Sequence, residues 1–103
     1  MTFDNVKIIK KANQYFDGKV TSRTVEFEDG TLKTLGIMMP GEYLFTTSDA
    51  EDMEIMAGEC EVKLKGEDRF RTIEGGENFD VPANSSFDIK VNTLVDYCCH
   101  YIK

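Results

Sequence analysis

The feature that most constrains the fold of this chain is a two-residue alternation of apolar and charged side chains, repeated in short segments between turn residues. Cys60, Val62 and Leu64 alternate with Glu61, Lys63 and Lys65, and Phe87, Ile89 and Val91 alternate with Asp88 and Lys90. That period puts apolar groups on one face of a strand and charges on the other. From Leu94 to Ile102, Tyr97, Cys99 and Tyr101 share one face while Cys98, His100 and Ile102 share the other, so both faces read as covered. A strand covered on both faces suits a barrel, a sandwich or a dimer interface better than an open one-sided sheet. Glu28-Asp29-Gly30, Pro40-Gly41, Gly66-Glu67-Asp68 and Gly75-Gly76 read as turns. Strands are therefore expected over 19–27, 31–39, 42–47, 53–57, 59–65, 70–73, 79–81, 87–91 and 94–102. No long amphipathic helix is expected, and the architecture that follows is all-β, a jelly-roll β-barrel.

At 103 residues the chain has room for one core, so 1–103 is read as a single domain, with residues 1–12 as an N-terminal extension whose order the sequence leaves open. Its 41% hydrophobic content is enough to build that core without staples. A net charge of -7 repels nucleic-acid phosphates and makes a nucleic-acid partner an unfavourable reading. It leaves room for a small anionic substrate, because a few cations focused in a cleft can outweigh the charge of the whole surface. No long apolar run or export signal is present, so neither a membrane nor secretion is expected and the protein is read as cytoplasmic. Cys60, Cys98 and Cys99 are accordingly expected as packing thiols, and adjacent Cys98 and Cys99 should point to opposite faces of a strand.

Two glycine-bounded segments carry a more specific pattern. Cupins bind a metal inside their barrel through His-X-His and Glu in a first motif and a further His in a second. Here Glu51 stands seven residues before Gly58, as the first motif requires, and the His-X-His positions fall on Phe45-Thr46-Thr47. In the second segment Gly76 and Pro82 keep the spacing while the His position is Phe87. The chain thus resembles a cupin whose imidazoles are gone. Phe45, Thr47 and Phe87 cannot supply the three or four ligands such a site needs, so no metal and no other resident cofactor is expected.

A closer resemblance covers Asn13 to Ile102. Asn13-Gln14-Tyr15-Phe16-Asp17-Gly18-Lys19-Val20 is similar to N-E-Y-F-x-G-K-V, and Gly41-Glu42-Tyr43-Leu44-Phe45-Thr46-Thr47 to G-E-Y-x-F-x-T. Glu51-Asp52-Met53 is similar to E-E-M, Phe79-Asp80-Val81-Pro82 to F-x-V-P, and Tyr97-Cys98-Cys99-His100-Tyr101 to Y-x-C-R-Y. Five such segments in one order resemble the small cupin-like pyrimidine/purine nucleoside phosphorylases. That resemblance implies a homodimer that splits many nucleosides with inorganic phosphate, giving free base and ribose 1-phosphate. His100 stands where the family segment carries Arg.

Phosphorolysis passes through an oxocarbenium-like sugar, so the site must hold an anion, position the ribose and keep water out. On this reading Glu51, Thr47 and His100 are the candidate catalytic residues. Glu51 and Thr47 occupy positions that face inward in metal-binding relatives, and His100 is a pH-dependent substitute for an Arg phosphate clamp. Lys19 is a candidate for phosphate and Glu42 for the ribose hydroxyls. Tyr43, Phe45 and Phe87 are expected to line the cavity and stack on the base. A metal-free cupin that binds or senses a metabolite without turnover is the alternative, and a barrel that serves only to dimerise is a third reading.

Overall fold

A computed structural model describes residues 2–102. Among them run nine strands: β1 (Lys7–Ile8), β2 (Asn13–Tyr15), β3 (Val20–Glu26), β4 (Leu32–Met38), β5 (Gly41–Thr46), β6 (Ala50–Leu64), β7 (Arg71–Glu74), β8 (Asn78–Val81) and β9 (Ser86–Ile102). The one helical element described is a 3₁₀ turn, Phe16–Gly18. The all-β expectation holds, but two pairs of expected strands are fused. Segments 53–57 and 59–65 are one strand, β6, and segments 87–91 and 94–102 are one strand, β9.

The fusion has a local cause. Between Ile55 and Cys60 the β6–β9 register shifts three times, so β6 bends through bulges without losing its partner. Gly58 makes the bend possible. Its φ of +96° is open to glycine, and a Cβ there would collide with the Leu94 carbonyl oxygen on β9. What reads locally as a break between two strands is a corner inside a continuous ladder.

The corner divides the sheet into two halves. On one side, β3, β4, the C-terminal part of β9 and the N-terminal part of β6 pair in that order, with β8 on β6 and with β1 and β2 on β3. On the other, β5 pairs with the N-terminal part of β9, which pairs with the C-terminal part of β6, which pairs with β7. The halves share one core: Met38, Met53, Ile55 and Phe79 from the first pack in the same cluster as Val62, Ile73, Phe87 and Ile89 from the second. Each such side chain contributes about 1.5–3 kcal/mol by leaving water, which is what holds the two halves face to face. The hydrogen-bonded sheet does not close into a ring, because its end strands β1 and β7 do not pair with each other. The expected barrel is therefore an all-β sheet folded over on itself.

Within the expected N-terminal extension, Lys7 and Ile8 pair with Glu26 and Val25 of β3, and the Phe3 ring meets Phe27 edge-on at 5.1 Å. Among the described residues no helix is long and apolar enough to cross a membrane. Cys60, Cys98 and Cys99 are all buried and unpaired, as expected of packing thiols.

Candidate active site

The alternation of β9 sends Tyr97, Cys99 and Tyr101 to the inner face of the folded sheet, and neighbouring strands complete what they begin. Glu51 and Met53 of β6 lie opposite Tyr101 and Cys99, and Thr34 of β4 lies opposite Cys99 on the other side. Gly36 of β4 lies beside Tyr97 and carries no side chain to block its ring: a Cβ at that position would stand 2.7 Å from Tyr97 Cζ. Phe45 of β5 and Phe87 of β9 form the facing wall, stacked at 5.5 Å with their planes 24° apart. Tyr15, just before the 3₁₀ turn, meets Phe45 edge-on at 6.4 Å. Apart from Gly36, these residues, with Ser22, Met38, Thr46, Ser48 and Asp49, line a cavity of about 260 Å³.

The cavity has one aromatic wall and one lined with hydroxyls, a thiol and carboxyls. Removal from water pushes the Glu51 carboxyl above its ordinary value; a hydrogen bond with Cys99 opposes that shift and the Asp49 charge adds to it. Burial also raises the Cys99 thiol and the Tyr97 phenol, and it pushes Tyr101 up to about 12. Cys99, Tyr97 and Tyr101 are thus neutral hydrogen-bonding groups at physiological pH. No lysine or arginine is among the residues that line the cavity. Such a site suits a ligand with an aromatic ring and several hydroxyls, and its carboxyl is placed to exchange a proton with that ligand.

Of the residues singled out in the sequence, the structure brings Glu51, Phe45 and Phe87 together on this cavity. It does not bring the others there. Thr47 lies just past the end of β5, where its hydroxyl donates to the Pro82 carbonyl at 2.7 Å and accepts from the Ser85 amide at 2.9 Å. Its expected place in the cavity is taken by Thr46. Tyr43 is buried in the core, donating its hydroxyl to the Met39 carbonyl at 2.6 Å, with its ring 4.9 Å from Phe16. Lys19 and Glu42 are exposed and off the cavity, Glu42 lying opposite Lys90 on the outer strand pair.

His100 needs the largest correction. Because Cys99 and Tyr101 face inward, His100 faces outward, with Nε2 2.8 Å from Glu54 Oε1 and Nδ1 2.6 Å from Lys33 Nζ. The Lys33 ammonium can only donate, so Nδ1 accepts and the ring proton sits on Nε2, directed at Glu54. A ring held this way is no anion clamp for the cavity. Residues missed in the sequence as site candidates include Ser22, Thr34 and Asp49. Thr34 carries a visible signal, being a small polar residue that shares a strand face with Leu32, Gly36 and Met38, whereas Ser22 shares its face with Thr24 and Glu26 and does not stand out.

The residues at the cupin metal positions do not fit a metal. Phe45 and Phe87 offer no donor atom, the Thr47 hydroxyl is consumed by Pro82 and Ser85, and among the described residues no buried side-chain nitrogen or oxygen lacks a hydrogen bond.

A model of the pyrimidine/purine nucleoside phosphorylase family matches residues 10–101. The chain belongs to this family. A pyrimidine/purine nucleoside phosphorylase from Sulfurimonas denitrificans is 63% identical over 98% of this chain and 97% of its own. A crystal structure of a protein of unknown function from Acinetobacter sp. ADP1 superposes with a TM-score of 0.95 at 45% identity, covering 98% of each chain. The cupin domain of Cnp3 from Schizosaccharomyces pombe shares the fold at a TM-score of 0.65 and 15% identity, over 89% of this chain and 69% of that one. The segments that resemble the phosphorylase family are also those that build the cavity: the first supplies Tyr15, the second Phe45, the third Glu51 and the last Tyr97, Cys99 and Tyr101. The Phe79–Pro82 segment supports it from behind, with Phe79 edge-on to Phe87 at 5.5 Å and the Pro82 carbonyl holding Thr47.

Proposed function

We propose that the protein phosphorolyses both purine and pyrimidine nucleosides, giving free base and ribose or deoxyribose 1-phosphate, with inorganic phosphate as co-substrate and no metal. The observation that carries this reading is Glu51, a desolvated carboxyl in a cavity that has one aromatic wall, in a chain of this family. The base stacks on Phe45 and Phe87, which is tolerant of base identity because every base has a π-face. Ribose hydroxyls meet Ser22, Thr34 and the tyrosines. As the C1′–N bond lengthens, the Glu51 carboxyl, whose hold on a proton burial strengthens, passes a proton to the departing base nitrogen while a phosphate oxygen forms the new bond to C1′. Hydrogen phosphate loses its own proton in forming the sugar phosphate, and that proton restores Glu51. The buried setting suppresses attack by water. The homodimer and the cytoplasmic location that the resemblance implies belong to the same reading.

One observation favours a second reading. With Asp49 and Glu51 in its lining and no lysine or arginine, the cavity suits a neutral ligand that is held without turnover. Incubating the protein with uridine or adenosine, with and without inorganic phosphate, separates the two. Phosphorolysis predicts base and sugar 1-phosphate only when phosphate is present. Equal release without phosphate would mean hydrolysis, and saturable nucleoside binding with no release would establish the binding module.

A further inference from the structure

The outer face of the sheet holds a second cluster of chemically active side chains, across the strands from the cavity. Glu54 of β6 lies opposite Cys98 of β9, and His100 follows Cys98 by two residues on the same face. One carboxylate oxygen, the sulfur and one ring nitrogen of these residues all lie within 4.8 Å of one another. We propose that Glu54, Cys98 and His100 form a binding site for a divalent transition metal of the zinc class, separate from the cavity.

The donor set is the argument for the metal class. A thiolate with an imidazole and a carboxylate selects zinc or cobalt over the hard cations magnesium and calcium, which take oxygen ligands. Zinc bonds of about 2.0–2.3 Å place tetrahedral ligand atoms about 3.5 Å apart, so the three donors need only small side-chain rotations to close on an ion. Two strands joined by a continuous ladder fix the backbone positions beneath them. The Glu54 and His100 side chains keep 38% and 22% of their surface exposed, which leaves an entry path and room for a water as fourth ligand. Asp52, opposite His100, adds a second negative charge beside Cys98.

Lys33 is the competitor. When a metal takes Nε2, the ring proton must move to Nδ1, where the Lys33 ammonium now stands 2.6 Å away. Lys33 therefore has to withdraw, and the Phe3 and Phe27 rings, 5.8 and 5.5 Å from its Nζ, give the ammonium a place to stay. Binding also releases the Cys98 thiol proton to solvent, because the thiolate is the ligand.

The test is a cobalt titration of chelator-stripped full-length protein under reducing conditions. The site predicts saturation at about one equivalent, with a near-ultraviolet thiolate-to-cobalt band and intense visible bands of tetrahedral geometry, both abolished by added zinc. Cys98→Ser should remove the thiolate band. The part-exposed Glu54→Gln and His100→Gln, which do not open the core, should each weaken cobalt binding at least tenfold while melting as folded proteins, and Lys33→Met should tighten it. A titration without a thiolate band would overturn the site. So would a band that survives in Cys98→Ser, or affinity unchanged in both Glu54→Gln and His100→Gln.

Discussion

Glu51→Gln is expected to slow phosphate-dependent base release by about a hundred- to ten-thousand-fold, the range of one general acid. That factor corresponds to about 2.7–5.4 kcal/mol of lost transition-state stabilisation. Glutamine keeps the shape of the side chain and its hydrogen-bonding capacity but has no proton to give to the leaving base. Stability should move the other way. The folded Glu51 carboxyl titrates above its unfolded value, so the parent protein loses stability as pH rises from the ordinary carboxylate range through the raised value. The variant has no such loss. Its melting temperature should exceed that of the parent at neutral pH, and the gap should close as pH falls below the ordinary carboxylate range. Unchanged turnover in a variant with that stability signature would remove Glu51 from the chemistry.

Gly58→Ala is expected to destabilise the fold strongly without touching the cavity. A non-glycine residue at a φ of +96° costs about 1–2 kcal/mol, and the contact with the Leu94 carbonyl adds strain of about 1–3 kcal/mol. A combined loss of about 3 kcal/mol is a large share of the 5–15 kcal/mol by which a domain is typically stable. Thermal unfolding should show it as a fall in melting temperature of about 12–24 °C. A fall under about 4 °C would mean that the corner between the two sheet halves does not depend on this glycine.

The strands were legible because half-buried strands write their two faces into the sequence, and the turns between them because glycine marks them. The corner was not. Gly58 and the Asn92–Thr93 region look locally like strand ends, and only the pairing of β6 with β9 across the bulges shows that both strands continue. The same alternation made the inner face of β9 readable: Tyr97, Cys99 and Tyr101 were already placed together and apart from His100. Placing His100 at the phosphate followed the resemblance to a family Arg and set aside that parity. Thr47 failed for a different reason. Whether its hydroxyl is free depends on Pro82 and Ser85, which are remote in sequence and reach it only through the fold. The metal cluster was hidden likewise, since Glu54 meets Cys98 and His100 only through strand register.

The central claim is that nucleoside enters the cavity between the sheet halves, and the methionines report on it directly. Met38 and Met53 line the cavity, whereas Met56 borders the groove on the outer face and Met39 is exposed. With carbon-13 methyl-labelled methionine, titration with adenosine or uridine should shift the Met38 and Met53 methyl resonances saturably and leave Met39 and Met56 in place. Shifts confined to Met39 or Met56, with Met38 and Met53 unmoved at saturation, would contradict the account.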